Sequence, residues 1–162
     1  MAVSREWLEP VWAAGAAGQR PDWADVEWYA LDEDDCVGML TSGGMGPIPR
    51  TVFRGLETHL ALASWLDNLP PRGSHELLIR YPDVTDYAQA ADRGLFAFDY
   101  ESEGPAGEGY RLVARPSAPL LLNALPKWAQ DWLEDIRLDG VRFVESAGRI
   151  LDLSHVRSGL VS

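Results

Sequence analysis

The sequence predicts an α+β fold, a mainly antiparallel sheet built from hairpins with helices packed on one face, and three observations lead there. Short apolar runs alternate with period two on both sides of polar or glycine-rich turns, which is the mark of paired strands. Between them lie segments whose apolar residues recur at three- and four-residue steps, the mark of helices with one buried face. The strands come in adjacent pairs rather than in strict alternation with helices, which favours an antiparallel sheet over a doubly wound parallel one.

Taken in chain order, Ser4 is placed to cap a short helix carrying Trp7, Leu8, Val11 and Trp12, with Pro10 inside it. Residues 1–20 form an N-terminal helical segment on this reading, and Gly15 to Asp22 a loop. Val26 to Leu31 and Cys36 to Leu40 are two strands around the acidic turn Asp32-Glu33-Asp34-Asp35. Ser42 to Pro49 holds three glycines and two prolines and is irregular. From a cap at Thr51, the spacing of Val52, Leu56, Leu60 and Ala63, widened by Phe53 and Leu66, predicts one continuous helix. Glu76 to Ile79 is a short strand, and Asp83 or Thr85 starts a helix that Gly94 ends. Leu95 to Tyr100 and Tyr110 to Ala114 make a second hairpin around the glycine-rich acidic loop from Glu101 to Gly109. Leu120 to Leu122 is a brief buried run. A helix from Pro126 buries Ala129, Trp132, Leu133 and Ile136 and closes at Gly140. Val141 to Val144 and Arg149 to Leu153 are expected to form a third hairpin, and residues 154–162 a frayed tail.

The 162 residues suit one domain, 1–162, large enough to bury a sizeable core without cross-links. Cys36 is the only cysteine, so no intrachain disulfide forms and a reducing, cytoplasmic setting is expected. The N-terminus lacks the apolar run of a signal peptide, and no stretch is apolar enough to span a membrane. The formal charge is -11, shared as -6 in residues 1–81 and -5 in residues 82–162. A surface of that sign repels phosphate backbones, which argues against nucleic acid as a partner.

No motif carries chemistry. The acidic turn begins like a calcium loop with Asp32 and Asp34, then places Val37 where the glycine belongs and Gly43 where the closing glutamate belongs. Ser42-Gly43-Gly44-Met45-Gly46 has the composition of a phosphate cradle, but Pro47 and Pro49 remove amide donors. His59, His75 and His155 lie on separate segments without ligand spacing, so neither a metal nor a cofactor is expected. His59 is expected at a helix surface or boundary. Cys36 sits beside carboxylates that weaken it as a nucleophile. Asp131, Glu134 and Asp135 share a helix with Trp128 and Trp132, residues that would suit a carboxylate- and tryptophan-lined pocket of a small enzyme or ligand-binding domain. Seven tryptophans are more than a core of this size needs, and Trp7, Trp12, Trp23 and Trp28 are candidates for an exposed cluster.

Trp28-Tyr29-Ala30-Leu31-Asp32, Ser42-Gly43-Gly44 and Gly46-Pro47-Ile48-Pro49 resemble the opening segment of small bacterial proteins of the polymorphic-toxin immunity class. Arg93-Gly94-Leu95-Phe96-Ala97-Phe98-Asp99, Tyr110-Arg111 and Pro116 resemble the middle of the same group. The likeness touches about a quarter of the chain, and its motifs are structural. It implies a non-enzymatic acidic protein that occludes the active site of a cognate toxin, a partner expected to be basic. Asp32, Glu33, Asp34, Asp35, Glu101, Glu103 and Glu108 are the electrostatic candidates for that contact, with Trp28 beside them. The expectation requires these carboxylates to be exposed and not neutralised by the chain's own arginines.

Overall fold

The computed structural model describes residues 4–20, 24–156 and 158–162. Strands β1 (Glu27–Leu31) and β2 (Val37–Thr41) form the first hairpin, with Trp28 opposite Leu40 and Ala30 opposite Gly38. Asp35 closes its turn at φ 64°, a left-handed conformation that aspartate adopts more readily than most residues. The second hairpin, β5 (Phe96–Glu101) and β6 (Gly109–Pro116), also forms where alternation places it. With β4 (His75–Leu77) these strands make one sheet in the order β1-β2-β5-β6-β4.

The sheet is antiparallel except at its centre, where β2 and β5 run parallel and set Thr41 opposite Asp99. A parallel neighbour requires a long crossover, and the chain from 42 to 95 provides it through α2 (Leu56–Asp67) and α3 (Thr85–Asp92). Both helices lie on one face. Their His59 and Tyr87 side chains meet Tyr29 and Thr41, which the pleat turns to that side. Helix α1 (Arg5–Ala16) stacks on this layer, with Trp12 4.5 Å from His59 and 5.1 Å from Phe53.

The opposite face carries Trp28, Gly38, Leu40, Phe96, Phe98 and Tyr110. Phe143 covers it, 5.6 Å from the Phe96 ring and 5.0 Å from Phe98. Gly38 makes room for that ring, since a Cβ there would lie 2.8 Å from Phe143 Cε2. Fully burying one such phenylalanine contributes about 3 kcal/mol. Along the outer edge of β1 the Leu31 N–H donates to the Ile136 carbonyl at 3.0 Å, and the Leu138 N–H returns to the Leu31 carbonyl at 2.8 Å. That edge of the sheet is therefore bridged at its Leu31 end, and Trp28 to Leu31 are buried.

Several expectations are corrected. Gly15 and Ala16 belong to α1, not to a loop, because Gly15 lets the Phe53 ring pack where a Cβ would overlap it; Pro21 and Asp22 lie outside the described residues. The helix expected from Thr51 is two pieces, a 3-10 turn Arg50–Arg54 and α2, broken at Gly55 with φ -165° and ψ 108°. Helix α4 (Lys127–Glu134) ends well before Gly140, and residues 136–138 turn extended to pair with Leu31. The third hairpin does not exist: Phe143–Glu145 is a 3-10 turn and Ile150 bridges Arg111 of β6. Within 141–144 Val141 and Phe143 are buried, Phe143 against the sheet, while Val144 stays exposed. Nor is the C-terminus frayed, since β7 (Leu160–Val161) pairs with β3 (Ile48–Pro49) and Val161 is buried.

Candidate functional site

The carboxylates singled out in the sequence fall at opposite ends of the sheet. Asp32 to Asp35 form the tip where β1 turns into β2, whereas Glu101 ends β5 beside the far end of β2. Strands of this length hold the two groups about 15 Å apart.

The tip is internally satisfied. Asp32 is fully buried, and its carboxylate accepts the Asp34 and Cys36 N–H groups on Oδ1, both at 2.9 Å, and the Phe143 N–H on Oδ2 at 2.7 Å. Burial holds its pKa above the ordinary aspartate value, although all three donors favour the ion. Asp34 is paired with Arg142 at 2.7 Å and Asp35 with Arg137 at 2.7 Å. Glu33 alone of the four is exposed without a salt bridge among the described residues. Cys36 is buried next to them, and burial, with the nearby carboxylates adding, pushes its thiol up to about 12, which disarms it. The tip fastens residues 136–145 to the first hairpin. Arg142 and Asp34 stand 108 positions apart, so no local pattern could announce their pairing.

Trp28 is buried completely, which corrects its assignment to a contact surface. Its Nε1–H donates to Tyr110 Oη at 3.2 Å, and Tyr110 passes its own proton to the Pro47 carbonyl at 2.9 Å. The exposed tryptophan cluster is corrected likewise: Trp12 is buried, Trp7 half-buried, and Trp23 lies outside the described residues. Trp128, at 41% exposure, is the tryptophan the surface presents among the described residues.

The far end of the sheet differs. Here β2 and its parallel neighbour β5 end side by side, with Thr41 opposite Asp99. Thr41 Oγ1 lies 2.8 Å from Asp99 Oδ1 and 2.9 Å from Tyr87 Oη. Having one proton, Thr41 donates it to the carboxylate and accepts from Tyr87. Tyr81 stands 6.1 Å from Tyr87, ring to ring, and donates to Glu101 Oε1 at 2.5 Å. Burial raises both phenols above the ordinary tyrosine value, with carboxylate neighbours adding to it, so each stays a protonated donor.

Further carboxylates surround this network. Glu27 accepts the Tyr29 hydroxyl at 2.6 Å, and burial raises its pKa, with Asp67, Asp86 and Asp25 pushing the same way. Asp25 and Asp99 both act on Tyr87. Asp67 is 3.6 Å from Arg93, but Asp25, Glu27, Asp86 and Asp99 have no salt bridge among the described residues. Of the acids named from the sequence, Glu101 is 2.8 Å from Arg111, Glu108 accepts the Tyr100 hydroxyl, and Glu103 is exposed. The sequence does not single out Thr41, Tyr81, Tyr87, Asp25, Glu27, Asp86 or Asp99, because the parallel register that sets Thr41 against Asp99, and the packing of α3 beside it, have no local signature.

His59 is corrected from a helix surface or boundary position to the core. It packs between Trp12 and Tyr29, and burial pushes its pKa down to about 4 against a hydrogen bond to the Glu27 carbonyl. Glu134 at the end of α4 and Asp135 just after it line a hollow of about 210 Å³, with Thr51, Ser158 and Arg137, and one of about 230 Å³ adjoins it, but Asp131, Trp128 and Trp132 line neither. Arg54 lies 3.9 Å over the Trp132 ring and 3.1 Å from Asp135, and Arg137 holds Glu134 at 2.9 Å. Arg54 thus occupies a face of Trp132 that such a pocket would need. Among the described residues no cluster of histidine, cysteine and carboxylate side chains is arranged to hold a metal, and no helix is long and apolar enough to cross a membrane. Comparison with protein-family models, with curated proteins and with solved structures gives no match to this chain.

Proposed function

We propose that this chain is a non-enzymatic protein-binding domain of the immunity type, which neutralises a cationic toxin by covering its active site. The contact is the acidic strand end rather than the hairpin tip. One observation carries this: Thr41 joins Asp99 to half-buried Tyr87, Asp25 also acts on Tyr87, Asp25 and Asp86 act on Glu27, and none of these four carboxylates has a salt bridge among the described residues. Carboxylates that lack internal counterions keep their field for a partner, and tyrosines beside them offer the flat amphipathic surface on which lysine and arginine side chains settle. Glu103 and Glu108 are exposed on the loop that follows β5, at the same end of the sheet.

The test is co-expression with the product of the adjacent gene, expected to be a basic protein toxic to its host. The chain should restore growth and co-purify with that product. Asp25→Asn with Asp86→Asn should weaken the complex on the order of 10-fold at low salt, while Asp34→Asn with Asp35→Asn leaves it unchanged. A complex indifferent to the first pair, or a neighbour whose toxicity the chain does not relieve, would sink the proposal.

A further inference from the structure

We infer that the open edge of β4 is a docking site for an extended acidic segment of a partner protein, which adds to the sheet as a further strand. The two edges of the sheet are not alike. The β1 edge is bridged at Leu31 by residues 136–138 and buried from Trp28 to Leu31, whereas residues 70–76, leading into and along β4, are all exposed, with Arg72 and Gly73 bonded to the end of α3 and no strand paired on the outer side of β4 among the described residues.

The register says which groups that edge presents. Ser117 N–H donates to the Ser74 carbonyl at 2.9 Å and Leu78 N–H to the Val113 carbonyl at 2.7 Å. With His75 opposite Pro116 and Leu77 opposite Ala114, positions 74, 76 and 78 therefore bond inward to β6. His75 and Leu77 are the alternate positions, and their N–H and C=O groups point outward. Pro116 agrees with this, since it has no N–H to give His75. An added strand finds two donors and two acceptors already in line.

Charge identifies the occupant. Arg72 and Arg80 bracket the strand, both exposed and without a salt bridge among the described residues. Arg115 is matched by Glu76 at 2.8 Å and His75 by Asp92 at 2.8 Å. A protein of net charge -11 thus has a locally positive edge. A second copy of this chain would bring its own arginines to the same place, whereas an acidic strand meets opposite charge along its length. The short strand and the nearby Pro70 and Pro71 discourage indiscriminate pairing, which leaves charge to choose the partner.

The probe is a fluorescein-labelled peptide of alternating glutamate and valine, compared with its lysine–valine counterpart by fluorescence anisotropy on the intact chain. The acidic peptide should bind saturably and slow amide exchange at His75 and Leu77, which exchange freely without it; the basic peptide should not bind. Arg72→Glu with Arg80→Glu should lower affinity roughly 5-fold. Leu77→Pro removes an outward N–H without touching the β4–β6 ladder and should abolish binding. If that variant fails to fold, the charge pair and the exchange rates decide. Slow exchange at both amides in the free chain, equal binding of the two peptides, indifference to either substitution, or a dimer that Leu77→Pro dissolves would each overturn the inference.

Discussion

At the tip of the β1–β2 hairpin, Asp32, Asp34 and Asp35 are each held by backbone amides or by Arg142 and Arg137. At the other end of the same strands, Asp25, Glu27, Asp86 and Asp99 have no arginine partner among the described residues, although Asp25 accepts the Gly43 N–H at 2.8 Å. The first group is contiguous in sequence and conspicuous; the second comes from separate segments and is easily overlooked. Yet the conspicuous group is structural, because its charge is spent inside the molecule, and the scattered group keeps a field that reaches solvent. Local density of acidic residues therefore says little about where a protein is electronegative.

The sharpest way to break this comparison is Asp32→Ala. It leaves three buried N–H groups without an acceptor and should destabilise the chain by about 3 kcal/mol in urea unfolding. A change below about 1 kcal/mol would mean that the tip is no anchor.

The next concerns the strand end and its core support. His59 has a folded pKa near 4, below the ordinary histidine value of about 6.5. The unfolded chain thus takes up the proton first, so the stability contributed by neutral His59 is present above about pH 6.5 and is lost as pH falls toward 4. The loss should approach about 3 kcal/mol. Glu27 and Asp32, with raised pKa values, act in the opposite sense. The histidine contribution is therefore isolated as the difference between the parent chain and His59→Leu over that window. Equal slopes for the two would refute the assignment.

A smaller effect is expected of Tyr87→Phe, which removes the donor to Thr41 and should cost about 1 kcal/mol while loosening the orientation of Asp99. The smallest separates the two regions by charge alone. Asp25→Asn with Asp86→Asn relieves repulsion and should leave stability unchanged or raised by up to about 0.5 kcal/mol, whereas Asp34→Asn with Asp35→Asn breaks two ion pairs and should lower it by about as much. Thermal melts at low and moderate salt distinguish them, since both effects shrink as ions screen them.

What the sequence determined by itself is the set of local elements: both hairpins, α1, α3 with its glycine stop, and the α+β class. Each rests on neighbours along the chain, through period-two alternation, helical spacing and the backbone freedom of Gly94 at φ 101°. Only the tertiary structure decided that β2 and β5 lie parallel, that residues 141–151 cover the sheet instead of forming a hairpin, and that the tail pairs with β3. It also decided which carboxylates have arginine partners. The physical reason is range: periodicity and turn chemistry act over a few residues, while a counterion or a strand register is set by distant segments, as with Asp34 and Arg142, 108 positions apart, and nothing in either segment alone encodes the meeting.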